Sequence, residues 1–178
     1  MPTKTLFDDD NLELAYGTVR LKRLDQNLLE TVRNWRNSEH VAKHMHSSTY
    51  ISPQMQEQWF SKAKNSTTAF YFVIFKDSKP LGLASVVDID FDRGTCSTGM
   101  YIGDKKYLNT GISIEASIAL GHFIFDVLCL KKIIVSIKKD NKRAIRYNTI
   151  ICGASLIGDD PQHPDACLYE LIYENHKK

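Results

Sequence analysis

The chain has 178 residues, with 23 basic and 21 acidic side chains and a formal net charge of +2. This length suits one domain with a sizeable core, and the balanced charge argues against nucleic acid as a partner. The four cysteines contain no C-x-x-C pair, so we predict neither zinc nor redox chemistry. The apolar runs fall short of the ~18 residues of a membrane helix, and we expect a cytoplasmic protein that does not contact membranes.

The first third of the chain predicts a strand and a helix. We expect residues 1–178 to form a single domain, with residues 1–15 as an extended N-terminal segment. Residues 16–24 alternate apolar and basic side chains, which is the period of a half-buried strand. Asp25 then caps a helix that continues to about Asn37 and carries apolar residues on one face.

A polar segment, residues 36–50, separates this helix from the next one. It contains His40, His44 and His46, but their spacing does not place all three on one helical face, and no cysteine lies nearby. We therefore predict no metal site here. The next helix begins at the Ser-Pro pair 52–53, with serine at the N-cap and proline at the first helical position.

The middle of the chain predicts three consecutive strands. Residues 69–75 and 81–90 flank a short polar turn, and residues 95–102 follow as a third strand. Along the chain, the order is strand, two helices, three strands, helix, strand, helix and further strands. This order predicts an α+β fold with one mixed, mostly antiparallel sheet flanked by helices.

A strand, a loop and a long helix then follow one another over residues 100–128. The polar loop 104–110 leads to Gly111, which opens the longest amphipathic helix of the chain. A helix N-terminus presents unpaired N–H groups and a partial positive charge, so this junction can bind a pyrophosphate. Glycine allows close approach of the chain to such a ligand, although a single glycine at such a junction is also common in ordinary packing.

The continuation of the chain carries a family resemblance. A β-branched strand follows at residues 131–137, and a second helical start follows at residues 141–148. The order of strand, (Arg/Gln)-x-x-Gly-x-(Gly/Ala), helix, strand, Asn-x-x-Ala-Ile and helix resembles the GNAT superfamily of acetyl-CoA-dependent N-acetyltransferases. The two matching strings are Leu108-Asn109-Thr110-Gly111-Ile112-Ser113 and Asn141-Lys142-Arg143-Ala144-Ile145-Arg146.

This resemblance implies a GNAT-like fold and acetyl-CoA as the co-substrate. It implies that the CoA pyrophosphate lies at the loop and helix start and that Asn141 contacts the pantetheine arm. Arg146 belongs to a local excess of basic residues, which either attracts the CoA phosphates or is a solvated face. The cofactor-binding residues so implied are Met100, Ile102, Leu108, Asn109, Thr110, Gly111, Ile112, Ser113, Asn141 and Arg146. Leu108 and Ser113 depart from the family pattern, so backbone N–H groups must supply most of the recognition.

The resemblance indicates the catalytic residues less directly than the cofactor-binding residues. An attacking amine must be neutral, so a base has to accept its proton. Related enzymes often carry a carboxylate on the strand after the long helix, where this chain has Ser136. We therefore expect Asp88 to lie near the cleft and to act as the base or to orient the acceptor, with Tyr101 as a second candidate. The thiolate-protonating tyrosine of the family aligns with Asn148, which leaves Tyr147 as the expected acid.

The segment after the first helix resembles sugar-nucleotide N-acetyltransferases of bacterial glycan pathways, including those of pseudaminic acid synthesis. The matching features are a Trp-Arg-Asn triplet at residues 35–37, Met45 and the polar loop 48–52. An arginine can grip a nucleotide pyrophosphate with two donors at once, although a purely structural Arg36 remains an alternative. The acceptor-binding residues implied are Arg36, Met45, His46, Thr49, Tyr50 and Gln56.

Two other functions stay open on the sequence alone. One is acetylation of a protein N-terminus or a ribosomal protein, since that subfamily shares the N-terminal helices. The other is a CoA-binding regulator without catalysis, because Leu108, Ser113, Ser136 and Asn148 all depart from family preferences. We expect a small-molecule amine as the acceptor, and a homodimer is compatible with the sequence.

Overall fold

A computed structural model describes residues 4–173 of the chain, with side chains from residue 6 onward. Its strands are β1 (Glu13–Tyr16), β2 (Val19–Arg23), β3 (Phe70–Lys76), β4 (Lys79–Asp90), β5 (Thr95–Ile102), β6 (Lys132–Lys138), β7 (Ser155–Asp159) and β8 (Ala166–Ile172). They form one sheet in the order β1-β2-β3-β4-β5-β6-β8-β7. Only β5 and β6 run parallel. The predicted α+β fold with a mixed, mostly antiparallel sheet is confirmed.

The helices lie on both faces of this sheet. They are α1 (Lys4–Phe7), α2 (Leu29–Asn37), α3 (Glu39–Ala42), α4 (Pro53–Lys64), α5 (Ile112–His122) and α6 (Lys142–Arg146). Helices α5 and α6 each continue into a π-helical turn, Phe123–Val127 and Tyr147–Ile151 respectively. No helix within the described range is long and apolar enough to cross a membrane.

Both helix starts that the sequence predicted are confirmed by their capping bonds. The Asp25 carboxylate accepts the N–H of Asn27 at 2.7 Å and caps a 3₁₀ turn that leads into α2. The Ser52 hydroxyl accepts the N–H of Met55 at 3.2 Å at the start of α4. Such caps each stabilise a helix by about 1 kcal/mol.

The N-terminal prediction needs correction. Residues 1–3 lie outside the described range, but residues 4–15 contain α1 and most of β1 rather than one extended segment. The predicted strand 16–24 is in fact the end of β1, a turn at Gly17 and Thr18, and β2. The hairpin was missed because β1 has only four residues, and the apolar positions change phase at the turn, from Leu14 and Tyr16 to Val19 and Leu21.

The sheet separates two apolar clusters, because side chains alternate between its faces. Phe72 and Ile74 of β3 are fully buried in the larger cluster, which includes α5. Val73, between them, is buried in the smaller cluster with Val32 of α2 and Leu83 of β4. Each such side chain contributes roughly 1.5–3 kcal/mol through burial. The two faces therefore hold α5 on one side and α2 with α4 on the other.

The parallel strands β5 and β6 stay together over a short distance only. They pair at Thr95 with Lys132 and at Cys96 with Ile133, although the strands continue to Ile102 and Lys138. Beyond these pairs the two strands part, and no strand within residues 4–173 pairs with the β5 edge that faces β6. This opening, which we call the β5–β6 gap, positions the site described next.

Candidate active site

The loop between β5 and α5 borders the gap and is held by its own side chains. The Asp104 carboxylate accepts the N–H of Lys106 at 3.0 Å, and the Thr110 hydroxyl donates to the carbonyl of Tyr107 at 2.7 Å. Asn109 and Gly111 have positive φ values of 65° and 83°. Backbone in which left-handed residues alternate with others turns successive N–H groups toward a common concavity that suits an anion.

The amides at the start of α5 are not capped. Gly111 is the N-cap residue without a side-chain bond, and a Cβ placed on it would meet no atom within 4 Å. Within residues 4–173, no hydrogen bond involves the N–H groups of residues 109–113. These donors therefore remain free for an anion, at the positive end of the α5 dipole.

The other residues predicted to bind the cofactor lie on β5, in this loop and at α6. Met100, at the gap edge of β5, and Leu108, in the loop, pack against the large apolar cluster. Their backbone, rather than their side chains, is therefore available to a ligand. Asn141 caps α6 by accepting the N–H of Ala144 at 3.1 Å. Arg146 is exposed, and no carboxylate of the described residues pairs with it.

Tyr147 links α6 to the start of α5. Its hydroxyl lies 3.0 Å from the carbonyl oxygen of Ser113 and 2.6 Å from the hydroxyl of Ser117. Burial raises the pKa of Tyr147, so the hydroxyl stays protonated at neutral pH. Asn148, by contrast, donates back to the carbonyl of Ala144 within its own helix. Tyr147 thus faces the cofactor loop, and its role as proton donor stays a prediction.

Arg36 and Tyr101 are neighbours on the face of the sheet that carries α2, which is the face opposite α5. Tyr101 packs against the smaller cluster near α2, and burial raises the pKa of its hydroxyl while the Arg36 charge opposes that rise. Arg36 donates to the carbonyl of Ser47 at 2.7 Å, and burial lowers its pKa. Among the described residues no carboxylate forms an ion pair with Arg36. Its charge is therefore available to an anionic ligand.

The segment from Met45 to Ile51 is fastened to α2. Asn37 clamps Ile51 with two bonds, accepting its N–H at 2.8 Å and donating to its carbonyl at 2.9 Å. The buried Arg33 donates to the Tyr50 hydroxyl and to the Ile51 carbonyl, both at 3.1 Å. Sequence reasoning missed Arg33, although its place one helical turn before Arg36 puts both on neighbouring positions of α2.

The remaining acceptor-binding candidates differ in exposure. Thr49 and His46 are exposed, Met45 is half-buried, and the Tyr50 ring is 66% exposed even though its hydroxyl is anchored. Gln56 is buried on α4, and its Nε2 has no hydrogen-bond partner among the described residues. Met45, His46, Thr49 and Tyr50 lie on the loop between α3 and α4, whereas Gln56 lies on α4.

The structure does not bring Asp88 to the gap, which corrects the expectation that it lies near the cleft. Tyr101 pairs with Leu83, and Asp88 lies five residues farther along β4, roughly 16 Å away at the usual strand rise. Asp88 is exposed, with a φ of 52°, within a bulge where the β4–β5 register shifts. This bulge breaks the two-residue period of β4, so the strand pattern does not give the direction of the Asp88 side chain.

A carboxylate does reach β6, but from another part of the chain. Ser136 donates its hydroxyl hydrogen bond to Asp160, a residue only 6% exposed in the turn between β7 and β8. That bond, above all, lowers the pKa of Asp160, and the N–H groups of Gln162 and His163 add to the effect. The contact depends on β6 pairing with β8, which brings this turn beside the end of β6 that parts from β5.

Two histidines complete this cluster. The rings of His46 and His163 stack with centroids 3.9 Å apart and planes 6° from parallel. Ligand atoms of His46, Asp160 and His163 lie within 4.8 Å of one another. However, imidazole lone pairs lie in the ring planes, so stacked rings direct them side by side rather than toward one point, and both Asp160 oxygens already accept protein donors. The arrangement does not fit metal coordination.

Comparison with known proteins agrees with this geometry. Residues 18–147 match the acetyltransferase (GNAT) domain family. A search of curated proteins finds no match. Spermidine N-acetyltransferase from Vibrio cholerae, solved with CoA and spermine, superposes with a TM-score of 0.81 at 16% identity, covering 90% of this chain and 99% of its own.

Two further solved structures share the fold. Apo FdhC, a nucleotide-linked sugar GNAT, has a TM-score of 0.76 at 20% identity, covering 94% of this chain and 93% of its own. A GCN5-related N-acetyltransferase from Brucella melitensis has a TM-score of 0.75 at 18% identity, covering 94% and 81%. Since the family match spans most of the chain, the protein belongs to the GNAT family of acetyl-CoA-dependent N-acetyltransferases.

Proposed function

We propose that this enzyme transfers the acetyl group of acetyl-CoA to the amine of a nucleotide-linked amino sugar. The observation that carries the proposal is Arg36, a half-buried arginine without a carboxylate partner among the described residues, beside Tyr101 at the gap. A guanidinium in that state suits the pyrophosphate of a nucleotide sugar.

The charge around the acceptor loop supports an anionic acceptor. Burial lowers the pKa of His44, and the cations Lys43, Lys138 and Arg143 lower it further against one opposing carboxylate, Asp140. A polyamine would meet repulsion in this field, whereas a pyrophosphate would be attracted. This argues against the acceptor class of the Vibrio cholerae enzyme, which was solved with spermine.

Tyr50 supports a nucleotide as part of the acceptor. Its ring is 66% exposed, while Arg33 holds its hydroxyl at 3.1 Å. An anchored but exposed aromatic ring offers a flat face on which a base can stack, and such stacking contributes about 1–3 kcal/mol per base. We assign Met45, His46 and Thr49 to the same acceptor loop, and Gln56 to its floor.

The reaction needs four contributions from the chain. Acetyl-CoA supplies the thioester, and the free amides of residues 109–113, with Asn141 and Arg146, would hold its diphosphate and arm. The open β5 edge at Met100 and Ile102 would bind the pantetheine amides. Tyr101 would orient the acceptor. Tyr147, protonated at neutral pH because burial raises its pKa, would return a proton to the departing thiolate.

The test is thiol release from acetyl-CoA with four acceptors under identical conditions. They are a nucleotide-linked 4-amino sugar, the same sugar without its nucleotide, spermidine, and a peptide with a free N-terminus. We expect the highest kcat/KM with the nucleotide-linked sugar, on the order of 100-fold above the free sugar. Preference for spermidine or the peptide would contradict the acceptor class. Tight acetyl-CoA binding without release for any acceptor would indicate a regulator.

Arg36 provides a mutational test of the same proposal. We expect Arg36→Ala to raise the KM for the nucleotide sugar at least about tenfold, because a charge-assisted bond contributes roughly 1.5–3 kcal/mol. The KM for acetyl-CoA should change little. Arg36→Lys keeps the charge without the fork of donors, and we expect an intermediate KM. Equal increases in both KM values would instead indicate a structural arginine.

A further inference from the structure

We infer that His163, stacked on His46 and backed by Asp160 and Ser136, accepts the proton of the acceptor amine. This inference rests on the proposed acetyl transfer at the β5–β6 gap. It supplies the base that Asp88 cannot provide, since Asp88 is exposed at the far end of β4.

The position of the cluster follows from strand pairing. Ser136 lies on β6, beyond the last residue that pairs with β5, and therefore on the side of the gap opposite Tyr101. Ile133, Val135 and Ile137 face the large cluster, so Ser136 faces the other side of the sheet, where α2 and the acceptor loop lie. The Ser136 bond to Asp160 brings the β7–β8 turn to this same face.

Asp160 has the properties of a fixed anion rather than of the base itself. Ser136 and the N–H of Gln162, at 2.8 Å, occupy its two oxygens, and these bonds lower its pKa. An anion held so firmly is a weak proton acceptor, but it stabilises a cation that forms within a few ångströms. The imidazole of His163 is that neighbour.

The stacked ring of His46 restricts how His163 can lie and offers a route for the proton. His163 is half-buried, whereas His46 is exposed to solvent. The other charges near the turn are Lys138, 3.9 Å from Asp165, and Lys139, 2.9 Å from Asp159.

The proposed reaction removes two protons from the acceptor nitrogen and adds one to the CoA thiolate. The ammonium of the acceptor passes one proton to an imidazole nitrogen of His163, and the neutral amine then bonds to the thioester carbonyl carbon. The nitrogen, positively charged after this bond forms, gives its second proton to solvent as the carbon–sulfur bond breaks. CoA leaves as the thiolate, and Tyr147 protonates it. His163 releases its proton to solvent through His46, and Tyr147 recovers one from solvent, so that acetylated amine and free CoA are the net products. The role matches a base oriented by a third group.

The experiment compares His163→Gln, His46→Gln and Asp160→Asn with wild type, using the best acceptor from the thiol-release assay. His122→Gln, a change of an exposed histidine at the far end of α5, is the control. We expect His163→Gln to lower kcat about 100-fold while the KM for acetyl-CoA stays within about twofold. Asp160→Asn should lower kcat less, and His46→Gln least.

The pH dependence separates a base from a structural residue. Histidine changes charge between pH 5 and 8, so wild type should lose kcat/KM on the acidic side of that range. His163→Gln should lose this acidic limb. Imidazole added to His163→Ala should restore part of kcat, which a residue needed only for folding would not allow.

Three outcomes would overturn the inference. The first is an unchanged kcat in a folded His163→Gln enzyme, and the second is an acidic limb that persists in it. The third is activity that chelation removes and a divalent cation restores, which would make the cluster a metal site. Since wild type must first turn over the acceptor, failure of the proposed acceptor class is detected separately, in the thiol-release assay.

Discussion

Two glycines with left-handed backbone offer a matched comparison. Gly111 and Gly153 have φ values of 83° and 75°, and a Cβ on either would meet no atom within 4 Å. Alanine at either position should therefore cost a similar 1–2 kcal/mol of backbone strain, roughly, and no steric clash. We predict that Gly111→Ala alone weakens acetyl-CoA binding, about tenfold or more, because its Cβ would occupy the space through which a diphosphate approaches the amides of the loop.

Thermal denaturation and titration calorimetry measure the two effects separately. The two variants should lose comparable melting temperature, with a normal acetyl-CoA affinity in Gly153→Ala. If both variants bind acetyl-CoA equally well, the loop at Gly111 does not hold the diphosphate.

Individual residues differ in how far the sequence predicts them. Asp25, Ser52 and Gly111 act on backbone within three or four residues, so local pattern was sufficient for their caps and turn. Asp160 could not be predicted in this way, because its partner Ser136 is 24 residues away and meets it only through the pairing of β6 with β8. The sequence therefore predicts Asp88 as the base, because it is a carboxylate on a predicted strand, whereas the approach of Asp160 to Ser136 has no local signal.

At the scale of elements, the acceptor loop depends on its attachment to α2. Asn37 makes two bonds to the backbone of Ile51, whereas Asn34 on the same helix makes a single exposed bond to Glu30. We predict that Asn37→Ala raises the KM for the acceptor severalfold and speeds proteolysis within residues 43–50, because two partly buried bonds of about 1 kcal/mol each are lost. Steady-state kinetics and limited proteolysis measure these effects.

Asn34→Ala is the control, and it should leave both quantities near those of wild type. If both variants behave alike, the clamp does not order the loop. The same clamp shows why this region was only partly predictable. The triplet at residues 35–37 indicated a polar site, but the contact of Asn37 with Ile51 spans 14 residues and requires the chain to turn back on α2.

The elements themselves were largely predictable where one period dominates. The strands β3, β4 and β5 lie close to the predicted ranges, because short polar turns bound these apolar segments. The parting of β5 from β6 had no local signal of its own. It follows from the different directions in which the two strands continue after the pair of Cys96 and Ile133.

For the whole molecule, buried groups predict a loss of stability in alkaline solution. Burial raises the pKa of the Cys96 thiol to about 12 and raises the pKa values of Cys152, Tyr101 and Tyr147 as well. In the unfolded chain, thiols titrate near 8.5 and tyrosines near 10. The unfolded chain therefore loses these protons at a lower pH than the folded protein does. The contribution of these groups to the free energy of unfolding is fully present below about pH 8.5 and falls as the pH rises toward 12.

Cys96 should account for part of that slope. We predict that the free energy of unfolding, measured with urea between pH 8 and 10.5, falls less steeply in Cys96→Ala than in wild type, by about 1.4 kcal/mol for each pH unit above the unfolded thiol pKa. Cys129→Ala, a change at an exposed thiol, is the control and should keep the wild-type slope. Identical slopes in all three proteins would show that Cys96 ionises freely in the folded state.

The proposed acetyl-CoA site depends on the free amides at the start of α5 and on the open edge of β5. Amide chemical shifts of the ¹⁵N-labelled protein, recorded while CoA is added, test both directly. We predict that the largest shifts occur at residues 109–113, followed by residues 100–102 on the β5 edge. Large shifts confined to other parts of the chain, with these amides unchanged at saturation, would contradict the assignment of the site.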